Sequence, residues 1–243
     1  MKGTGRTDRG IQRKNNQDCF DLKIDTENGT ALCVVCDGMG GANAGNVASR
    51  LAVETFISEL DGLLQEPKEE DAVCQLLHRA VTRANAEVYE QARRNEAYSG
   101  MGTTLVGAFL SAGQAVIVNV GDSRAYHVRG GAITRITKDH SVVEDMLIRG
   151  DITPEEARCH PNKNLITKAI GTEPEVAGDV YTLPIRCGDH ILLCSDGLTN
   201  LASEEEILRE LEGRTLEQCG EMLINLALSR GAPDNVTVVI MEI

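Results

Sequence analysis

The chain has 243 residues, 42% of them hydrophobic and 25% charged, which excludes intrinsic disorder and supplies ample apolar material for a packed core. Aromatic residues make up only 3% and Trp is absent, so that core has to be built from Val, Ile, Leu, Ala and Met. Lys and Arg number 24 against 37 Asp and Glu, and the net charge of −13 describes a surface that repels nucleic acid and anionic membrane.

In chain order, ALCVVC at 31–36 reads as a buried strand. A helix is predicted from about Ala44 to Leu64, with Val47, Leu51, Phe56, Ile57 and Leu60 mainly on one face. The polar stretch 65–71 is a loop, and a second helix runs from about Asp71 to Asn95 with Val73, Leu76, Leu77, Ala80, Val81, Ala84 and Val88 at helical spacing. Strands follow at 103–110, 114–120, 124–129 and 132–137, joined by short turns such as Arg129-Gly130-Gly131, which predicts an antiparallel meander. Between Lys138 and Gly171 the pattern breaks into short helical pieces, 142–148 and one opened by Thr153-Pro154. A segment with so little core of its own is a flap over a site, approximately 142–171, or else a plain surface excursion. Strands at 190–194 and 236–242 flank two more helices, one opened by the Ser203–Glu206 capping box and one marked by Leu216, Cys219, Met222, Leu223 and Leu226.

This order is not the alternation of a parallel α/β sheet. It predicts an α+β protein with two antiparallel sheets face to face and helix pairs on their outer faces. With no linker, repeat or low-complexity segment, residues 1–243 read as one domain. The start, MKGTGRTDRG, has no apolar stretch after its basic residues, and no run approaches 18 apolar residues, so the expected compartment is the cytoplasm, without membrane insertion. The cysteines are scattered. Cys33 and Cys36 form a C-x-x-C pair, but in a strand residues three apart point to opposite faces, so reduced core thiols are expected rather than a zinc or redox motif.

The chemistry lies in aspartates placed beside glycine at strand ends. Asp37 follows ALCVVC and begins DGMGG; Asp122 follows QAVIVNVG; Asp196 follows HILLCS and begins DGL; Asp234 sits in APDN just before VTVVIMEI. A hydrophobic strand delivers its last residue to a fixed place, and glycine beside it admits close approach. Carboxylates converging at sheet ends repel unless cations hold them, and hard divalent ions such as Mg²⁺ or Mn²⁺ take oxygen ligands. No cysteine begins a phosphate-binding loop, since the sixth residue after Cys187 is Leu193 and not Arg. Cys194, on a buried strand, reads as core and not as a nucleophile. His140 in KDHS reads as a structural residue or a proton carrier, and His160 as a substrate contact or an idle loop residue.

Seven segments occur together in this order: RKNNQD (13–18), VVCDGMGG (34–41), GMGTT (100–104), NVGDSRAY (119–126), KDHS (138–141), LLCSDGL (192–198) and APDNVT (232–237). The set resembles the metal-dependent type 2C protein phosphatases (the PPM family), in particular the small bacterial members that oppose Ser/Thr kinases, and it covers essentially the whole chain. The resemblance implies a four-layer α-β-β-α sandwich and hydrolysis of phosphoserine and phosphothreonine in proteins by metal-activated water. It implies that Asp37 bridges two Mn²⁺ or Mg²⁺ ions, that Asp196 and Asp234 complete one ion's ligands, and that the Gly38 carbonyl serves the other. Asp122 with Asp196 corresponds to a weaker third site. Asp18 orients water at the ions, Arg13 binds the substrate phosphate, and Asn235 and Thr103 support the site. Residues 142–171 correspond to the flap; it carries Arg158 and His160, whose side chains are able to touch a peptide.

Two positions depart from some relatives: Gln17 stands where some have Glu, and Met39 where larger eukaryotic members have a His proposed as general acid. The implied partners are phosphoproteins and a cognate Ser/Thr kinase. The alternatives are a dedicated regulatory phosphatase of a sigma-factor or sporulation pathway and a non-catalytic pseudophosphatase module. The first usually carries sensory domains for which this chain leaves no room, and the second should lack a ligand.

Overall fold

The computed structural model describes all residues except 42, 43, 67 and 112. β1 (Lys2–Asp8), β2 (Asp18–Asp25) and β3 (Thr30–Met39) lead into α1 (Ala44–Leu60), the short α2 (Gly62–Gln65) and α3 (Glu70–Arg94). β4 (Gly102–Thr103), β5 (Leu105–Ser111), β6 (Gln114–Val120), β7 (Arg124–Arg129) and β8 (Ala132–Arg135) follow, then α4 (Val142–Arg149) and α5 (Pro154–Cys159). The remainder is β9 (Asp179–Pro184), β10 (His190–Cys194), α6 (Asp196–Thr199), α7 (Glu204–Leu211), α8 (Leu216–Ser229) and β11 (Val236–Glu242).

The strands form two antiparallel sheets. One runs β1-β11-β10-β7-β8; the other runs β2-β3-β5-β6-β9, with β4 paired to β3. Alternation along each strand sends side chains to two faces, and three apolar layers result. Between the sheets lie Cys33, Val35, Val106 and Ile117 from one and Leu193 and Val239 from the other. On the outer face of the second sheet, Leu32 and Val34 pack against Phe56 of α1 and Leu77 of α3. On the outer face of the first, Leu192 and Val238 pack against Ile207 of α7 and Leu223 of α8. The result is the expected α-β-β-α sandwich.

Three details differ from the expectation. The first helix stops at Leu60, because Asp61-Gly62 interrupts it and Leu63 and Leu64 are buried from the separate turn α2. Its buried stripe is Ala48, Ala52, Val53, Phe56 and Ile57, while Val47 and Leu51 are only half-buried; small alanines let α1 lie close on β3. The strands 103–137 are not one meander: β5-β6 belongs to one sheet and β7-β8 to the other. Gly121, at φ 105°, makes the turn by which the chain crosses over, a conformation that favours glycine.

In the flap, Ser141 accepts from Glu144 N–H at the start of α4, and Thr153 with Glu156 closes a capping box on α5 with Pro154 in its first turn. An isolated bridge between Ser141 and Ile166 closes the base of this segment, and a second, between Thr103 and Ile170, ties it to the body.

Candidate active site

One end of the sandwich gathers five carboxylates. Asp37, near the end of β3, lies directly opposite Asp18, the first residue of β2. Asp196 opens α6 two residues after β10, and Asp234 precedes β11, the strand paired to β10. Asp122 sits in the crossover turn between β6 and β7. Their charges act on one another. Burial, then the negative charges of Asp18, Asp196, Asp122 and Asp234, push Asp37 well above the carboxylate range. Asp196 is raised by burial and by Asp234, against hydrogen bonds to Asp37 and Asn200 that act the other way. Burial, then Asp196 and Asp139, raise Asp122. Asp18 is pushed up to about 7, chiefly by burial, although two hydroxyls hydrogen-bond to it.

Those hydroxyls fix Asp18. Its Oδ2 accepts from Ser195 Oγ at 2.8 Å and Thr237 Oγ1 at 2.6 Å. Its Oδ1 and Asp196 Oδ1 are buried without a hydrogen-bond partner. An orphaned buried anionic oxygen is costly, and two in one cluster call for a cation or a proton between them. Among the described residues no group of three His, Cys, Asp or Glu side chains is already closed around one point. The fit to divalent cations rests instead on the donor set, which is all hard oxygen, and on the two orphaned atoms.

Gly38 lies beside Asp37 where nothing larger fits: a Cβ there would stand 2.1 Å from Gly45 O and 2.6 Å from Gln17 O. Thr103 and Thr104 hold the Asp37 backbone, Thr103 Oγ1 donating to Asp37 O at 2.9 Å and Thr104 Oγ1 accepting from Asp37 N at 2.9 Å. Asn235, 3% exposed, fastens the 9–17 loop: its Oδ1 accepts from Gln17 N–H, and its Nδ2 donates to Arg9 O and Asn15 O. That loop carries Arg13, whose Nη2 pairs with Asp234 Oδ2 at 2.7 Å. Gln17 Nε2 reaches Gly41 O at 3.4 Å and brings no charge to the cluster.

His140 is a brace. Its Nδ1 accepts from Gly121 N–H at 3.1 Å, and its own N–H donates to Gly121 O, so it pins the turn that holds Asp122. Asp139 beside it grips Arg124 at 2.7 Å and Arg135 at 2.8 Å. A cleft of about 540 Å³ opens between the flap and residues 199–205, lined by Leu147, Ala157, Lys163, Asn200 and Glu204 among others. Asn200, on the wall of this cleft, donates its Nδ2–H to Asp196 Oδ2 at 2.8 Å. His160 stays on the flap, its Nδ1 accepting from Asn162 N–H at 3.1 Å. The side chain of Arg158 lies outside the described residues.

The structure therefore brings Arg13, Asp18, Asp37, Gly38, Asp122, Asp196 and Asp234 to one end of the fold. Sequence reasoning missed Ser195, Thr237 and Asn200. The available signal was a hydroxyl or amide within four residues of a strand-end aspartate.

Known proteins resemble this chain in sequence and in fold. The sequence profile described as Protein phosphatase 2C matches residues 3–227. The serine/threonine phosphatase stp of Listeria monocytogenes is 38% identical over all of this chain and 96% of its own. The crystal structure of serine/threonine phosphatase Stp1 from Staphylococcus aureus superposes with a TM-score of 0.92 at 38% identity, covering 99% of this chain and 94% of that one. The catalytic domain of the serine threonine protein phosphatase PstP, in complex with two manganese ions, gives a TM-score of 0.84 at 37% identity, over 99% of this chain and 97% of that one. Converging strand-end aspartates, a sandwich that superposes over its whole extent and a profile spanning most of the sequence lead to one conclusion: the chain belongs to the protein phosphatase 2C family.

Proposed function

We propose that the five-carboxylate cluster is the metal centre of a protein serine/threonine phosphatase that works with Mn²⁺ or Mg²⁺. Asp37 would hold both of two cations, with Asp196 and Asp234 as further ligands of one and the Gly38 carbonyl as ligand of the other, and Asp122 with Asp196 would hold a weaker third. The observation that carries this reading is the pair of buried, unpartnered oxygens on Asp18 and Asp196 within a cluster whose charges raise one another. Two divalent ions, when bound, polarise the phosphoryl oxygens and activate a water for in-line attack.

The chain's own groups do the rest. Asp18, anchored through Oδ2, keeps Oδ1 free to accept a hydrogen bond from the attacking water and aim it. Arg13, half-exposed on its loop, exchanges Asp234 for the substrate phosphoryl group, to which a guanidinium offers two parallel donors. No thiol intermediate is supported: burial pushes Cys194, near Asp196, up to about 12. The cleft beside Asn200 receives the polypeptide around the phosphorylated residue, and the flap residues Arg158 and His160 are assigned to contact it.

The substrates are phosphoproteins, set by a cognate Ser/Thr kinase, and the reaction takes place in the cytoplasm. No helix among the described residues is long and apolar enough to cross a membrane. Residues 1–243 act as one catalytic domain, a reading supported by the pairing of β1 with β11. The test is Asp196→Ala. Turnover of an aryl phosphate at saturating Mn²⁺ should drop below about a tenth of wild type, more than about 1.4 kcal/mol of barrier, with a circular dichroism spectrum unchanged. Calorimetry should show weakened Mn²⁺ binding. Retained turnover and unchanged binding would remove Asp196 from the metal set.

A further inference from the structure

Eight cysteines remain unused by this chemistry. Two of them face each other. Cys19 in β2 is the direct antiparallel partner of Cys36 in β3, and among the paired strands described these are the only two cysteines in register. Opposite residues on neighbouring antiparallel strands point to the same face. Accordingly Cys36 is buried under α1 and Cys19 packs against the same cluster, whereas Cys33 lies in the layer between the sheets. Both thiols are free. Directly opposed residues have Cα atoms about 4.5 or 5.5 Å apart, and both spacings fall within the range that a disulfide spans.

The pair is reachable from one side. Cys19 is half-buried and lines an open groove between β2 and α1, with Arg50, Val53, Glu54 and Ile57 on the helix side. It is also next in the chain to Asp18, as Cys36 is to Asp37, and Asp18 and Asp37 are themselves opposed.

We propose that Cys19 and Cys36 are a cross-strand thiol pair that hydrogen peroxide converts to a disulfide, lowering phosphatase activity until a thiol reductant restores it. The Cys19 sulfur attacks peroxide, breaks its O–O bond and becomes a sulfenic acid, with one water released. The Cys36 sulfur then attacks the Cys19 sulfur, the S–S bond forms, and the sulfenic oxygen leaves as a second water carrying the Cys36 proton. Two thiols are oxidised and one peroxide is reduced to two waters. Cys19 is only half-buried, so the first step is limited by access to its sulfur and needs sustained oxidant. The second step is intramolecular and fast by comparison.

The consequence for activity rests on the metal-centre reading. A disulfide holds its Cβ atoms about 3.8 Å apart, against about 4.5–5.5 Å for an unlinked opposite pair. Closing that gap twists β2 against β3 one residue from Asp18 and Asp37. Displacements on the order of 1 Å cost up to about 100-fold at a catalytic site, so a fraction of that corresponds to about tenfold.

The experiment exposes the full chain to about millimolar hydrogen peroxide, blocks remaining thiols, and maps unreduced peptides by mass spectrometry while aryl phosphate turnover is followed. The expected result is a linked peptide joining Cys19 and Cys36, turnover lowered about tenfold, and recovery with dithiothreitol. Cys19→Ser should keep basal turnover and lose the reversible response; Cys19→Ala repeats the test should serine disturb the fold. The proposal is overturned if the linked peptide is absent while the exposed Cys159 and Cys187 oxidise. It is equally overturned if the link forms without loss of turnover, or if the reversible loss persists in both variants. The peptide map reads the thiols alone, so failure of the metal assignment, which appears in Mn²⁺ binding by Asp196→Ala, is separately visible.

Discussion

Replacing Asp18 with Asn removes one negative charge from the cluster without removing its anchoring. The amide oxygen still accepts from Ser195 and Thr237, and the amide nitrogen takes the place of the orphaned Oδ1. In the metal-free folded chain Asp18 titrates at about 7, against an ordinary 3.8. The folded state therefore holds this proton more tightly than the unfolded state. Its contribution is complete below about pH 4 and is lost as pH rises toward and through 7. At about 1.4 kcal/mol per unit, the ionised carboxylate costs up to about 4 kcal/mol at pH 8 and only about 1 kcal/mol at pH 4.5. Asn carries no such cost at either pH. Asp18→Asn should therefore raise the Tm of chelator-treated protein by on the order of 10 °C at pH 8 and by only a few degrees at pH 4.5, at roughly 2–4 °C per kcal/mol. Differential scanning calorimetry at both pH values, wild type beside variant, cancels the general effect of the net charge. A variant stabilised equally at both pH values, or destabilised at pH 8, would refute the account of a carboxylate ionised against burial and its neighbours. Turnover with Mn²⁺ should nevertheless fall by at least about tenfold, because the aiming oxygen has become a donor.

Gly38→Ala places a Cβ against Gly45 O, and should cost about 3 kcal/mol in urea unfolding together with most of the turnover; a stable, active variant would mean that the β3–α1 approach is looser than it looks. Arg13→Ala should raise KM for an aryl phosphate about tenfold with kcat changed much less, the pattern of lost ground-state binding, whereas an equal fall in Mn²⁺ affinity would assign Arg13 to holding Asp234. His160→Ala should lower kcat/KM for a phosphopeptide at least about threefold while leaving an aryl phosphate within about twofold. Parallel losses on both substrates would place the flap in support of the metal centre.

The carboxylates were legible because each of Asp37, Asp122 and Asp196 ends an apolar run and touches a glycine or a turn, a pattern that local chemistry writes into neighbouring residues. β1, β2 and β9 were not. KGTGRTD is polar and contains glycines because Gly3 and Gly5 lie where Met241, Leu22 and Phe20 approach from other strands. DCFDLKID is half-buried throughout, so its alternation is faint. Without β2 in place, the opposition of Asp18 to Asp37, and of Cys19 to Cys36, had no register to express it. The hydroxyls on Asp18 come from Ser195 and Thr237, 177 and 219 residues away, a separation that periodicity does not reach. The resemblance to a known family supplied Asp18 and Arg13 where residue chemistry alone did not.

The pairing of β1 with β11 also bears on how the protein is made. Lys2–Asp8 can find its ladder partner only when Val236–Glu242, the last strand in chain order, has left the ribosome. Asn235 arrives at the same moment and fixes Arg9, Asn15 and Gln17, and Thr237 reaches Asp18. Until then the 9–17 loop and the Asp18 carboxylate have no fixed place, and Asp234 is not yet beside Asp196. A nascent chain thus passes through synthesis with its ligands scattered, and competence for catalysis is gained in a single late docking event. Such long-range closure predicts slow folding, and a polypeptide interrupted before Asn235 should accumulate without phosphatase activity, whatever secondary structure it has formed.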